Sequence, residues 1–249
     1  MSLKINNLFT NKVTRKPNRR IDWITIHYTA GTLSNAGKAR AVANGFANNN
    51  REASADFVVD DKEIYCCNKD IKNQYTWSVG GKKYPSKSCS ESARYYGQCT
   101  NANSISIEIC SRKINRSSLL ATDTDWYFTE EALNLAVQLT AELMQKYNID
   151  INHIIMHSSV TGKICPNPFC VNEGALTKWK DFKNRIVKLI NKDDEEDMVR
   201  YNKLSEVPDY GKKTVEKLIN KNLIADKNNL NLSEDMLRIF VMLDRNGTI

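Results

Sequence analysis

Long apolar runs are absent from this chain of 249 residues. No segment approaches the ~18 consecutive apolar residues that a bilayer-spanning helix needs, so we do not expect a membrane as a partner. The first twenty residues are polar and basic, and they lack the apolar stretch of a secretory signal. We therefore expect the protein to be made in a cytoplasm and to stay there unless another system releases it.

Histidine is scarce, and cysteine is present in an odd number. The chain has three histidines, His27, His153 and His157, and seven cysteines. An odd count and a reducing compartment argue against a disulfide framework. Free thiols, one of them a metal ligand, are the expected state. Cys89 and Cys99 are the pair that would close a loop if the protein works outside the cell.

The net charge of +7 is unevenly distributed along the chain. Residues 193–249 hold nine Lys/Arg and twelve Asp/Glu, whereas residues 1–192 hold 27 and 17. A basic front part favours a polyanionic partner, such as nucleic acid, teichoic acid or an acidic wall polymer. Solubility is the alternative explanation, and charge alone does not choose among them.

Apolar periodicity predicts an α/β domain with one central sheet over residues 1–192, because strand and helix patterns alternate. Strands are predicted at 21–29, 55–59, 63–66, 104–110 and 154–157, and helices at about 34–50, 128–147 and 175–191. In the last helix we expect Leu176, Trp179 and Phe182 to face inward. Residues 68–103 have weak periodicity and read as a long ordered loop region, a feature that is often functional.

The acidic segment 193–198 is predicted to be a linker, and residues 199–249 a small α-helical domain. Helices are expected at about 211–222 and 233–245, the second with Ser233 as its N-cap. A part this small cannot bury a large core. We therefore expect it to need a partner or to associate with itself.

His27, His157 and Cys165 form the candidate metal site. Each histidine ends a predicted strand, and Cys165 follows His157 by eight positions, after a turn marked by Gly162. Two imidazoles and one thiolate are a ligand set of catalytic zinc, which keeps a fourth position open. Taken singly, each residue also fits a packed structural role. His153 lies four positions before His157, but on a strand that spacing is ~13 Å, so we leave it out of the ligand set.

Four segments in order carry a family resemblance: IDWITIHYTAG, ASADFVVDDKEIY, NANSISIEIC and IIMHSSVTGKICPNP. They resemble the N-acetylmuramoyl-L-alanine amidases related to the peptidoglycan recognition proteins, a family that includes phage endolysins. The resemblance covers roughly residues 20–190. It implies a central mixed β-sheet flanked by helices, with Zn²⁺ in a surface groove. His27, His157 and Cys165 match the ligands.

The same resemblance assigns further roles. Lys163 matches a lysine that stabilises the oxyanion, and Glu108 matches a general base of some members. The tyrosine that assists catalysis in some phage members would fall at Ala55, so the resemblance moves the acid–base role to Glu108. Trp77 is followed by serine where several relatives have histidine, and it is expected either to bind substrate or to pack in the core.

The function implied is that of an endolysin that cuts the amide bond between N-acetylmuramic acid and L-alanine in bacterial peptidoglycan. Residues 207–245 resemble a surface-layer-homology unit or the tail of clostridial phage endolysins, which implies binding to a cell-wall polymer. Nucleic acid is then not an expected partner. The protein would be made in the host bacterial cytoplasm and act on the wall after release.

Several alternatives stay open at this point. One is a peptidoglycan-binding protein without catalysis, although recognition-only relatives commonly lose a metal ligand. Another is a cysteine hydrolase that pairs Cys165 with a histidine. The tail is alternatively a packing or dimerising hairpin. An internal start at Met198 would yield a free C-terminal fragment able to associate with the full chain.

Overall fold

The computed structural model describes residues 3–30, 38–48, 52–84, 89–197 and 199–249, with the side chains of 192–197 left aside. The chain divides into two compact units, residues 1–189 and 190–249. Among the helices in the described ranges, none combines the length and the apolar character of a bilayer span.

In the described residues the first unit contains ten strands and three whole α-helices, and a fourth α-helix begins in it and continues through residues 190–197. The strands are β1 (Ile5–Asn7), β2 (Val13–Arg15), β3 (Trp23–Tyr28), β4 (Phe57–Val59), β5 (Ile64–Cys66), β6 (Gln74–Thr76), β7 (Ser104–Ile109), β8 (Arg112–Lys113), β9 (Trp126–Tyr127) and β10 (Ile154–Met156). The helices are α1 (Ala39–Asn48), α2 (Glu130–Tyr147), α3 (His157–Thr161) and α4 (Ala175–Asp197).

Six strands form the central sheet in the order β1-β5-β4-β7-β3-β10. The pair β4/β5 is antiparallel and the other pairs are parallel, so the sheet is mixed. The central strands β3 and β7 are buried along almost their whole length. The sequence of β7 alternates isoleucine with polar residues, and its two serines are buried as well. The helices α1 and α2 pack on this sheet. The predicted mixed sheet flanked by helices is confirmed.

The long segment 68–103 is held by buried polar groups. Asp56, fully buried, accepts hydrogen bonds from Asn68, Thr76 and Ser106. The buried guanidinium of Arg19 donates to the carbonyl oxygens of residues 71, 101 and 104. In the described residues of this segment, these bonds order a chain whose regular structure is the short strand β6, which pairs with β2, and a 3₁₀ turn at Asn101–Asn103.

Several sequence predictions need correction. His157 does not end a strand but begins α3, because β10 stops at Met156. Leu176 is 48% exposed and does not face inward as predicted. The helix α4 continues to Asp197 through most of the segment predicted as a linker. The predicted helix 34–50 is present as α1, with residues 34–37 and 49–50 outside the described ranges.

The second unit contains helices α5 (Asp209–Asn220) and α6 (Glu234–Arg245) and a two-stranded ladder of β11 (Arg200–Tyr201) and β12 (Leu232–Ser233). The ladder adds strand to a part predicted as wholly helical. Ser233 caps α6 as predicted, since its hydroxyl accepts from the Met236 N–H. A Cβ on Gly211 would lie 2.6 Å from the Leu237 side chain, so the glycine permits the close approach of α5 and α6.

A candidate metal centre in an open groove

The register of the central sheet brings His27 and Glu108 together. His27 on β3 pairs with Glu108 on β7 in a parallel ladder, so both side chains project from the same face near the strands' carboxyl ends. The His27 Nδ1 atom lies 3.9 Å from Glu108 Oε1. The other carboxylate oxygen, Oε2, is buried and has no hydrogen-bond partner among the described residues.

A tight turn returns the chain from His157 to Cys165. His157 follows β10, which pairs with β3 in the sheet. The helix α3 ends at Gly162 in a left-handed conformation (φ 80°), where a Cβ would lie 2.3 Å from the Tyr84 carbonyl oxygen. The Ser158 N–H then donates to the Cys165 carbonyl oxygen at 2.7 Å. This bond fixes Cys165 beside the start of α3.

The three predicted ligands converge in the structure. One donor atom each of His27, His157 and Cys165 lies within 4.8 Å of the others, and all three residues are buried. The Cys165 Sγ atom is 3.8 Å from His27 Nδ1, and the two imidazole centroids are 4.6 Å apart. The arrangement is a candidate metal site for an ion that accepts nitrogen and sulfur ligands.

The outer nitrogens of both imidazoles are engaged, which leaves the inner nitrogens for a metal. His157 Nε2 lies 3.0 Å from the Val79 carbonyl oxygen, and His27 Nε2 lies 3.1 Å from Thr25 Oγ1. Because a carbonyl only accepts, His157 carries its proton on Nε2 and presents the Nδ1 lone pair. That Nδ1 atom is buried and has no protein partner in the described residues. Metal-bound histidines are oriented in this way.

Burial keeps the site uncharged when no cation is bound. It lowers the pKa of His27 well below 6.5 and that of His157 to about 3, with Lys163 adding to both effects. Burial raises the pKa of Glu108 to about 8, partly opposed by Lys163, and it raises the pKa of the Cys165 thiol. A dication among these atoms would offset a thiolate and a carboxylate in the same volume.

The site opens into a groove of about 530 Å³. Lys163 is exposed and lines it, as does half-buried Trp77. The Trp77 ring is fixed by a hydrogen bond from Nε1 to Thr14 Oγ1 at 2.9 Å. Six residues singled out from the sequence therefore line one groove: His27, Trp77, Glu108, His157, Lys163 and Cys165.

Other residues singled out lie apart from the site. His153 is exposed at the end of a 3₁₀ turn, and its ring contacts that of Trp23 at a tilt of 33°, with centroids 4.2 Å apart. All seven thiols are free, and Cys89 and Cys99 do not pair. Cys99 packs with Trp23, whereas interaction with the Cys170 thiol lowers the pKa of Cys89.

Sequence reasoning missed the groups that orient the histidines. Thr25 precedes His27 by two positions on a strand, so period-two alternation places it on the same face and would have found it. Val79 acts through its backbone carbonyl, which leaves no mark in the side-chain sequence. Leu119 and Ala121 also line the groove, although they come from a segment with no motif.

Comparisons with known proteins match this architecture. The model of the N-acetylmuramoyl-L-alanine amidase family matches residues 17–168. The amidase CwlL of Bacillus licheniformis is 28% identical over 159 residues, which cover 63% of this chain and 39% of CwlL. BlyA of Bacillus subtilis is 28% identical over 182 residues, 71% of this chain and 44% of BlyA. The chain thus spans about two fifths of the length of the curated relatives it matches.

Solved structures show the same fold. A mutant endolysin from Bacillus subtilis is 28% identical, with a TM-score of 0.51 over 74% of this chain and 99% of that one. The catalytic domain of XlyA is 27% identical, with a TM-score of 0.50 over the same shares. The family match spans all six residues singled out for the site.

Proposed function

The chain belongs to the N-acetylmuramoyl-L-alanine amidase family, and on this basis we propose that it is a zinc-dependent hydrolase of the amide bond between N-acetylmuramic acid and L-alanine in peptidoglycan. The observation that carries the proposal is the buried Nδ1 atom of His157, which has no hydrogen-bond partner in the described part of the chain and converges with His27 and Cys165. Two imidazoles and one thiolate are a ligand set that zinc uses at catalytic sites.

When bound, zinc would supply Lewis acidity to the scissile carbonyl and to the attacking water. The residues of the chain would do the rest. Glu108 would take the proton of the water and pass it to the leaving amine, since its Oε2 atom has no other partner in the described residues. The Lys163 ammonium at the groove would offset negative charge that develops on the carbonyl oxygen.

We assign the acid–base role to Glu108 because the position at which some family members carry a catalytic tyrosine cannot fill it here. Position 55 holds a fully buried alanine, which has no proton to give. Without a metal, burial raises the pKa of Glu108 to about 8. A dication held by the neighbouring ligands would lower that pKa and leave the carboxylate form available to accept a proton.

We assign the remaining partners by the same reasoning. Trp77 would stack on a sugar or peptide of the substrate. The excess of basic residues in 1–192 favours an acidic wall polymer, and the second unit would bind the wall.

Helix α6 of the second unit exposes three apolar residues at three-residue spacing, Met236, Ile239 and Met242. This exposed apolar face supports self-association, or association with a fragment started at Met198, a residue outside the described ranges.

We further propose an endolysin's course for the protein: synthesis in the host bacterial cytoplasm and action on the wall after release. We also propose that residues 207–245 are a wall-binding tail of the clostridial phage type. A single full-length product on expression, unchanged by Met198→Ala, would contradict the internal start.

A cysteine hydrolase is the second candidate, because Cys165 Sγ lies 3.8 Å from His27 Nδ1. Reactive thiols, however, have a lowered pKa and some exposure. Cys165 is 3% exposed, and burial raises its pKa. A metal ligand is therefore the better assignment.

Digestion of purified cell walls tests these functions. We expect new L-alanine amino termini, no new reducing sugars and complete inhibition by a chelator, with activity restored by Zn²⁺. New reducing ends would instead indicate a glycosidase. Activity that survives chelation but is lost in Cys165→Ser would indicate a cysteine hydrolase. Binding to walls without any cleavage would indicate a recognition protein.

A further inference from the structure

A loop of residues 114–125, here called the rim loop, is held in place by two buried side chains, those of Lys113 and Trp126. It connects β8 to β9. The side chain of Lys113, 1% exposed, is ion-paired with Asp125 and, at 3.1 Å, with Asp123. Asp123 also accepts from the Leu120 N–H at 3.0 Å. The buried Trp126 donates through Nε1 to the Leu120 carbonyl oxygen at 3.0 Å.

The rim loop is also tied to the segment that carries the candidate ligand Cys165. Asn167, two residues later and fully buried, donates through Nδ2 to the carbonyl oxygens of Ala121 (2.6 Å) and Asp123 (2.9 Å). The loop therefore holds a defined position relative to the candidate metal ligands.

This fixed loop places an apolar side chain at the groove. Leu119 is 59% exposed and lines the groove that contains the candidate metal ligands. Val42, Phe46 and Ile164 add apolar surface to the same groove. The neighbouring Leu120 is 63% exposed and does not line it. Two adjacent leucines on one anchored loop thus differ in access to the site.

We infer that Leu119 is a specificity-determining residue that packs against a methyl group beside the scissile amide. The inference rests on the proposed function. In that substrate the amide has a methyl group on each side, one on the lactyl group of muramic acid and one on L-alanine. Both methyl groups are small and apolar. A leucine held at the groove would therefore favour a substrate that carries either methyl group over an analogue with a hydrogen atom in its place. Leu119 takes no part in bond cleavage.

Kinetics on three soluble substrates test the inference with the full chain and Zn²⁺. The reference is a muramoyl-L-alanyl peptide, the second has glycine in place of alanine, and the third has a glycolyl in place of the lactyl group. For Leu119→Ala we expect the preference in kcat/KM for one methyl-bearing substrate over its methyl-free analogue to fall about fourfold, the value of one buried CH₂. Loss of alanine preference identifies the alanine methyl, and loss of lactyl preference identifies the lactyl methyl.

Leu120→Ala is the matched control, since it truncates the same residue type on the same loop at similar exposure. It should leave both preferences unchanged. If Leu119→Ala changes neither preference, or changes all three substrates by one factor, the inference is wrong while the proposed function stands. If the unsubstituted protein cleaves none of the substrates yet releases L-alanine termini from walls, recognition lies outside the groove and the inference is wrong as well. If it cleaves neither walls nor substrates, the proposed function fails first.

Discussion

Glu108 lies beside His27 in the parallel ladder of β3 and β7, with its Oε1 atom 3.9 Å from His27 Nδ1 and its Oε2 atom buried without a partner in the described residues. A carboxylate that contacts a metal ligand but is not one itself is placed to move protons. Metal binding and turnover can therefore be tested independently with variants of Glu108.

For Glu108→Gln we expect zinc content to be retained and activity on cell walls to fall by roughly 10²–10⁴-fold, the usual range for loss of a general base. The amide keeps the size of the side chain but cannot accept the proton. Zinc content by mass spectrometry and the rate of release of L-alanine termini give the two readouts. Near-normal turnover in a zinc-loaded variant would remove Glu108 from the mechanism.

The stability of the chelated protein should fall between pH 6.5 and pH 8. The folded-state pKa of Glu108, about 8, lies above its ordinary 4.5, so the folded state holds a proton that the unfolded state has lost. Stability from this group is therefore present at low pH and disappears as pH rises through 8, by about 1–2 kcal/mol over this window. His27 and His157 have lowered pKa values, so their contribution to stability is lost as pH falls through 6.5 and opposes that of Glu108 near the lower end of this window.

Urea unfolding at pH 6.5 and pH 8 measures this difference. Glu108→Gln carries no titrating carboxyl, so its free energy of unfolding should not fall across the same window. If the free energy of unfolding changes equally between pH 6.5 and pH 8 in the two proteins, the raised pKa of Glu108 is contradicted.

Thr25→Val should weaken zinc binding by about 10–100-fold, the usual effect of removing a group that orients a metal-bound histidine. The hydroxyl of Thr25 is the partner of His27 Nε2 at 3.1 Å, and valine keeps the shape of the side chain. Thr140→Val is the matched control, because Thr140 is equally buried and, among the described residues, its hydroxyl bonds to the Ala136 carbonyl oxygen within α2. Competition with a chromogenic chelator gives both affinities, and equal affinities would contradict the role of Thr25.

The main elements of the fold could be predicted because their sequence signals are local. The strand β3 is rich in β-branched and aromatic residues, β7 alternates isoleucine with polar residues, and α2 and α6 begin at caps that a sequence shows. The strands β1 and β2 were missed, since three polar or mixed residues carry no readable period. Leu176 fits the helical pattern of α4 but lies at its first turn, where it stays 48% exposed.

The candidate site was predictable to the extent that it depends on side-chain identity. His27, His157 and Cys165 were selected by residue type, order and resemblance, and the sheet register then explains why Glu108 is beside them. The carbonyl of Val79 and the position of Leu119 depend on how distant segments pack. Such relationships are tertiary, so a single sequence does not contain them as a pattern.

Diffraction at the zinc absorption edge, from crystals grown with Zn²⁺, tests the central claim most directly. We expect one anomalous peak bonded to Nδ1 of His27, Nδ1 of His157 and Sγ of Cys165, at about 2.0–2.1 Å for nitrogen and about 2.3 Å for sulfur. No peak at this position, a zinc bound through Nε2, or a zinc that excludes Cys165 would contradict the account.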